Sequence, residues 1–402
     1  MSQRYASPAV ATIQSPINGH AAVQQKRYSV AMTDQLVFDE EELLASHAYI
    51  EPLVVGGERY HGGFVSDGTY VSPRTRNRWP AIRAWQDRVR TESDMELIDC
   101  PGDLFAEFYP NLDQTKYLLA EGVRDPVIQI LTQIGTVEGF GSVIRHVELH
   151  DLQRQFVEDI TGTATAHLNK GLYEAHARDE SGYEEEGGHQ QMWYAVRDLA
   201  FENPEVGDPL QMAMQAFTGG GAGGQAMLGM AKALGSGQRI VPQIDVQLET
   251  AITRMTGLLL IELLAFNTFK WAAQLVGDPH LCANTDQAAA LVGYIRSDEE
   301  PHVGYLRTTL TEMRARTFVG TEGQRLPGTD VIDACWNYSI RQMFGLGGKR
   351  ADRREMILGL LDQSLDGHPR RTAILAGFHD LETPDPVIDE QADTRTPAVG
   401  YG

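Results

Sequence analysis

A single carboxylate stands inside the most apolar stretch of this 402-residue chain: Glu262, in the run GLLLIELLAF at residues 257–266. The pattern from Ile244 to Val276 predicts one long helix around it. On that helix Leu258, Leu259, Ala265 and Phe266 share the face of Glu262. Such a face belongs in a core. An isolated ionised carboxylate there costs several kcal/mol, so Glu262 must be protonated, meet an Arg or Lys, or bind a metal.

Two further segments bear on that choice. Glu186-Gly-Gly-His189 and Glu299-Glu-Pro-His302 are both E-x-x-H. On a helix, positions three apart share a face, so carboxylate and imidazole can reach one cation together. The surrounding pattern predicts a helix over Asp151–Glu180, bent near Gly162 and stopped by Gly182. A second is expected over Glu184–Phe201, and another over Asp286–Phe318 interrupted by Pro301. Earlier helices are expected over Asn111–Val123, Asp125–Ile134 and Ser142–Arg154, and later ones over 329–344, 351–365 and 369–380. Glu262 and Glu299 are 37 residues apart, enough for two antiparallel helices and a turn.

In the order Glu, E-x-x-H, Glu, E-x-x-H, residues 150–318 resemble the ferritin-like superfamily of dinuclear, non-haem di-iron carboxylate proteins. The resemblance implies a mostly α fold with a four-helix bundle core, in which two helices each give one Glu and two each give E-x-x-H. Its metal ligands would be Glu174, Glu186, His189, Glu262, Glu299 and His302, with Glu158 or Glu148 as alternatives to Glu174. Asp298 and Glu300, and more weakly Asp198, are candidates to hold the imidazoles from outside. His176 and His167 lie nearby; either could be an extra ligand or an outer partner, although a satisfied or surface histidine is the commoner role. Tyr173, Tyr194, Tyr294 and Trp193 could line a pocket or carry electrons, although aromatics at helical spacing are more often core.

The implied activity is that of an O2-activating oxygenase or oxidase/desaturase of a small organic substrate. Two iron ions, or manganese, would be the cofactors and O2 the co-substrate. Electrons would come from an external donor or reductase, and a homodimer is possible for such a chain. A ferroxidase or dimanganese protein is one alternative. A non-enzymatic acidic helical interaction protein is another, in which Glu262 finds an Arg.

Composition narrows the rest. With 34 Lys and Arg against 55 Asp and Glu, the net charge is −21, which argues against nucleic-acid partners and anionic membranes. Three scattered cysteines and no basic, apolar leader make a cytoplasmic protein the default expectation. No run reaches the ~20 consecutive apolar residues of a membrane span. Residues 1–34 and 383–402 read as disordered arms around one elaborated helical domain at 35–382. Within it, residues 47–75 suggest a hairpin cap. The Gly- and Met-rich stretch Met212–Gly237 reads as a crossover or pocket wall.

Overall fold

The computed structural model describes residues 35–104, 107–149, 151–204, 206, 239–344 and 349–383. The expected arm 1–34, nearly all of the expected tail and the stretch Met212–Gly237 lie outside the described residues. Among those described, the chain is mostly helical, with 11 helices and two small antiparallel sheets.

The chain enters through a one-turn helix, α1 (Glu40–Leu44). Asp39 caps it by accepting from the Glu42 N–H while Glu42 accepts from the Asp39 N–H, a reciprocal capping box. The expected hairpin follows as a three-stranded sheet: β1 (Glu51–Val55), β2 (Glu58–Phe64) and β3 (Tyr70–Val71), paired in that order. Then come α2 (Arg78–Ser93), α3 (Leu112–Ala120) and α4 (Asp125–Gly141). Asn111 and Gln114 form a second capping box at the start of α3.

α4 runs seven residues beyond the expected stop at Ile134. Gly135 does not end it: a side chain there would meet Trp193 and Tyr194, so the glycine serves a close approach and not a helix stop. The expected helix Ser142–Arg154 is instead a short 3-10 turn at Ser142–His146 and another at Leu152–Gln155.

The long helix expected from Asp151 is likewise absent until Tyr173. Side chains satisfy the backbone there in place of helical bonds. Gln153 Oε1 accepts the Ile160 N–H, and Glu312 accepts the N–H groups of Ala164 and Thr165. A kink at Gly171 follows, and only then α5 (Tyr173–Ser181).

The second half is built on α6 (His189–Phe201), α7 (Val246–Val276) and α8 (Thr285–Arg314). Asp245 caps α7 by accepting from Gln247 and Leu248. α8 continues straight through Pro301, forfeiting one backbone bond. It ends before Phe318, which lies in β4 (Thr317–Val319), paired with β5 (Arg325–Pro327). α9 (Gly328–Phe344), α10 (Lys349–Ser364) and α11 (Arg371–Asp380) complete the described chain.

α7 lies along α8, α6 packs between α4 and α8, and α2 packs on α8. Two hydrophobic lobes result. One gathers Trp85, Leu259, Tyr305 and Phe318; the other gathers Trp193, Phe269, Leu275 and Ile295. Truncating either fully buried tryptophan to Ala would cost ~3–5 kcal/mol. Asp125–His146 is long and apolar enough by composition to cross a membrane, and it carries Glu138 to the junction of the helices. The three cysteines are buried and joined by no disulfide.

Candidate metal centre

Seven side chains from five helices converge where the two lobes meet. Glu138 comes from α4, His176 and Glu180 from α5, His189 from α6, Glu262 from α7, and Glu299 and His302 from α8. They form two overlapping groups. His176, Glu180, Glu262 and His302 make one; Glu138, Glu180, His189 and Glu299 make the other, each with donor atoms within 4.8 Å of one another. Glu180 belongs to both. All are buried except Glu138, which is half-buried.

Local structure explains the convergence. His176 and Glu180 are one turn apart on α5, as are Glu299 and His302 on α8. His189 is the first residue of α6, and a loop from Gly182 to Gly188 joins it to α5. Tyr183 and Glu186 close that loop with two 3.0 Å backbone bonds. β2 then pins it: Gly187 donates to the Arg59 carbonyl, and the His61 N–H donates to the Gly187 carbonyl, both at 3.0 Å.

Each histidine turns one nitrogen toward the carboxylates and the other away. His302 Nδ1 lies 2.6 Å from Glu299 Oε2 and 3.2 Å from Glu180 Oε1. His189 Nδ1 lies 2.7 Å from Glu299 Oε1 and 3.5 Å from Glu180 Oε2. His176 Nε2 lies 3.5 Å from Glu262 Oε1 and 3.6 Å from Glu180 Oε1. The outward nitrogens meet separate partners. His302 Nε2 bonds Asp179 Oδ2 at 3.0 Å, His176 Nδ1 bonds the Tyr305 hydroxyl at 3.3 Å, and His189 Nε2 faces Asp298 Oδ2 at 3.6 Å.

Those outer partners are themselves fixed. Asp179 accepts from Arg74 Nε and Arg78 Nη2, both at 2.7 Å, all three side chains being buried. Asp298 accepts from the Tyr70 hydroxyl at 2.8 Å, and His61 Nε2 lies 3.3 Å from the same oxygen. A guanidinium cannot accept, so the 3.4 Å contact of Arg74 with His61 Nδ1 makes that nitrogen the acceptor. A neutral His61 then carries its proton on Nε2, facing Asp298.

The inner atoms are left without hydrogen bonds: both Glu180 oxygens, Glu299 Oε1, His189 Nδ1 and His176 Nε2. Buried polar atoms are rarely orphaned, and orphaned acceptors that point at one another call for a cation. The charges agree. Glu138, Glu180, Glu262 and Glu299 bring four negative charges, while Asp179 and Asp298 are offset by Arg74 and Arg78. Two divalent cations with neutral imidazoles would make the whole neutral.

Protons fill the same role without metal. Burial opposes charge on His189 and His302, but the Glu299 and Glu180 carboxylates outweigh it and raise both imidazoles well above their usual range. Burial also resists ionisation of Glu180 and Glu299, yet the charge on His189 and His302 draws both down to about 2. Burial pushes Glu262 well up, with Glu299 adding to it. Glu138 is raised by burial and by Glu180.

Of the residues expected from sequence, His189, Glu262, Glu299 and His302 meet in the centre. Glu174 and Glu186 do not: both lie outside it, paired with arginines. Glu174 accepts from Arg178 Nε at 2.7 Å and lies 3.5 Å from Arg145, on a part-exposed face of α5. Glu186 pairs with Arg59 at 2.8 Å, because residues 182–188 form a loop, with Glu184 at φ +54°, and not a helix. The first E-x-x-H therefore shares no helical face.

The alternatives Glu158 and Glu148 are exposed. His167 is a core histidine bonded to Phe38 and Thr163. Glu300 is exposed and Asp198 pairs with Arg197, so of the expected outer residues Asp298 alone faces an inner imidazole.

His176, expected as a satisfied or surface residue, points into the centre. Glu138 and Glu180 were not anticipated at all. Glu138 had the same signal as Glu262, a lone acid in an apolar helix (PVIQILTQIGTVEGF), and Trp193 Nε1 donates to it at 3.3 Å. His176 and Glu180 had the i, i+4 spacing of one helical face.

Comparison with family models, with curated proteins and with solved structures gives no match.

Proposed function

We propose that this chain is an O2-activating non-haem di-iron oxygenase or oxidase/desaturase acting on a small organic substrate. One observation carries the reading: donor atoms of four carboxylates and three imidazoles face one another in the interior, and both Glu180 oxygens, Glu299 Oε1, His189 Nδ1 and His176 Nε2 have no hydrogen-bond partner. Carboxylate oxygens with imidazole nitrogens suit iron and also manganese. On this reading α4, α7 and α8, together with α5 and α6, would stand for the ligand-bearing helices of a ferritin-like bundle.

Bound there, the metal pair would supply the redox chemistry with O2. The protein's own contribution is more specific. Glu180 belongs to both groups and would be a ligand common to them. His176, Glu262 and His302 would hold one, and Glu138, His189 and Glu299 the other. Asp179 and Asp298 orient two of the imidazoles so that each turns a lone pair inward. The surrounding core excludes water. The described residues beyond the bundle are more than iron oxidation alone needs, which favours an organic substrate over a ferroxidase. An external one-electron or two-electron donor would complete the cycle.

The test is elemental analysis of protein expressed with added iron. Near two irons per chain are expected in the parent and in Glu174→Ala and Glu186→Ala. Glu180→Ala and His176→Ala should lose them. A parent that holds no stoichiometric transition metal, even after anaerobic Fe(II) or Mn(II) reconstitution, would falsify the proposal.

A further inference from the structure

The metal-centre reading leaves one buried chain of groups unused. From His189 Nε2 the path runs outward to Asp298 at 3.6 Å, then to the Tyr70 hydroxyl at 2.8 Å. The Tyr70 ring stacks on Tyr294, centroids 4.3 Å apart and planes 24° apart. Tyr70 is buried, whereas Tyr294 is part-exposed. Phe64 packs edge-on against both rings and shields the pair.

The phenol is placed with care. Gly62, at φ +77°, lies against the Tyr70 hydroxyl, and a Cβ there would collide with the phenol oxygen and ring. The centre has a second tyrosine on its other side, Tyr305, bonded to His176. Its aromatic neighbour Tyr173 is buried, so that route ends inside the core. Among the described residues, the Tyr70 route is the one that runs through stacked phenols toward solvent.

We propose that Tyr70 and Tyr294 form an exit for oxidising equivalents, by which a centre oxidised by O2 without substrate is discharged to the surface. This rests on the metal reading above. Tyr70 gives one electron to the oxidised centre and its phenolic proton to Asp298 Oδ2, which is within direct transfer distance. Tyr294 then returns one electron to Tyr70, the proton goes back from Asp298, and Tyr294 releases its own proton to solvent. An external one-electron reductant of the ascorbate or ferrocyanide class restores Tyr294, with uptake of one proton. Atoms and charges balance over the sequence.

The experiment uses the full chain loaded with iron, its content measured first. The protein is reduced anaerobically, mixed with O2 in the absence of organic substrate, freeze-quenched and read by electron paramagnetic resonance. A transient tyrosyl signal is expected in the parent. Tyr70→Phe, compared with the parent at matched iron content, should lose it, and Tyr294→Phe should prolong it. Tyr183→Phe, an exposed tyrosine outside the path, should match the parent. Two bound irons with no tyrosyl signal, or with one that survives in Tyr70→Phe, would overturn the exit alone. Iron well below two per chain in the parent would overturn the metal reading and the exit together.

Discussion

The imidazole of His176 stacks on that of His302, centroids 3.9 Å apart and planes 22° apart, although one belongs to α5 and the other to α8. Two charged rings would repel at that distance. Burial, and then the charge of His302, push His176 well below the usual imidazole range, so one of the pair is kept neutral. The stack therefore sets a neutral ring facing Glu180 and Glu262 beside one that would have to give up its proton to become a metal ligand.

Metal removal should expose a pH dependence that the loaded protein lacks. His189, His302, Glu262 and Glu138 are all raised in the folded metal-free chain. A raised group stabilises the fold below its unfolded value, and this is lost as pH rises toward the folded value. The lowered values of Glu180 and Glu299 act in acid, outside that window. Urea midpoints of chelator-treated protein should fall between pH 6 and 8.5 more than those of iron-loaded protein. Equal slopes would contradict this.

Asp179 pairs with two buried arginines and holds His302. Asp179→Ala would strand the Arg74 and Arg78 charges, a loss of about 3–5 kcal/mol for a broken buried pair. Chemical denaturation should show it. Asp179→Asn, which keeps the shape, should be milder in stability but weaken metal affinity about 10–100-fold, as expected for an outer partner.

Gly141 ends α4 against Glu180, and a Cβ there would lie 2.7 Å from the Glu180 Cγ. Gly141→Ala is expected to displace the one carboxylate shared by both ligand groups. Metal content should fall, while overpacking lowers stability by ~1–3 kcal/mol. Elemental analysis with a thermal melt separates the two effects; full metal content would refute the first.

What the sequence made legible was the pair of long helices and their acids. Glu262 announced itself through its apolar surroundings, and Glu299 with His302 through a spacing that α8 preserves across Pro301. The other half was misread for a definite reason. Spacing places two residues on one face only where a helix runs through both, and α6 begins at His189, after Glu186. Glu180 takes the expected place of Glu186 because the loop folds back. The outer partners Tyr70, Arg74 and Arg78 lie more than 100 residues from Asp179 or Asp298, and only tertiary packing brings them near.

His167 lends itself to a separate test. Its Nε2 accepts the Phe38 N–H at 3.0 Å and its Nδ1 bonds the Thr163 carbonyl at 2.6 Å, a pattern that needs the neutral ring. Burial lowers its pKa, so its contribution is present above the unfolded value near 6.5 and is lost as pH falls below it. Between pH 7.5 and 5 the parent should lose more stability than His167→Gln. Parallel losses in calorimetry would show that His167 does not titrate in this way.

The three-stranded sheet gives no member of the two overlapping groups, yet β2 bonds both the N–H and the carbonyl of Gly187 and thereby sets where His189 begins its helix. It also supplies the phenol that steadies Asp298. The geometry of the centre thus depends on a sheet outside the helices that form it. A strand substitution that shortens or twists β2 would shift one imidazole and spare the other two. The position of His189 can therefore be altered without replacing any of the seven residues that converge in the centre.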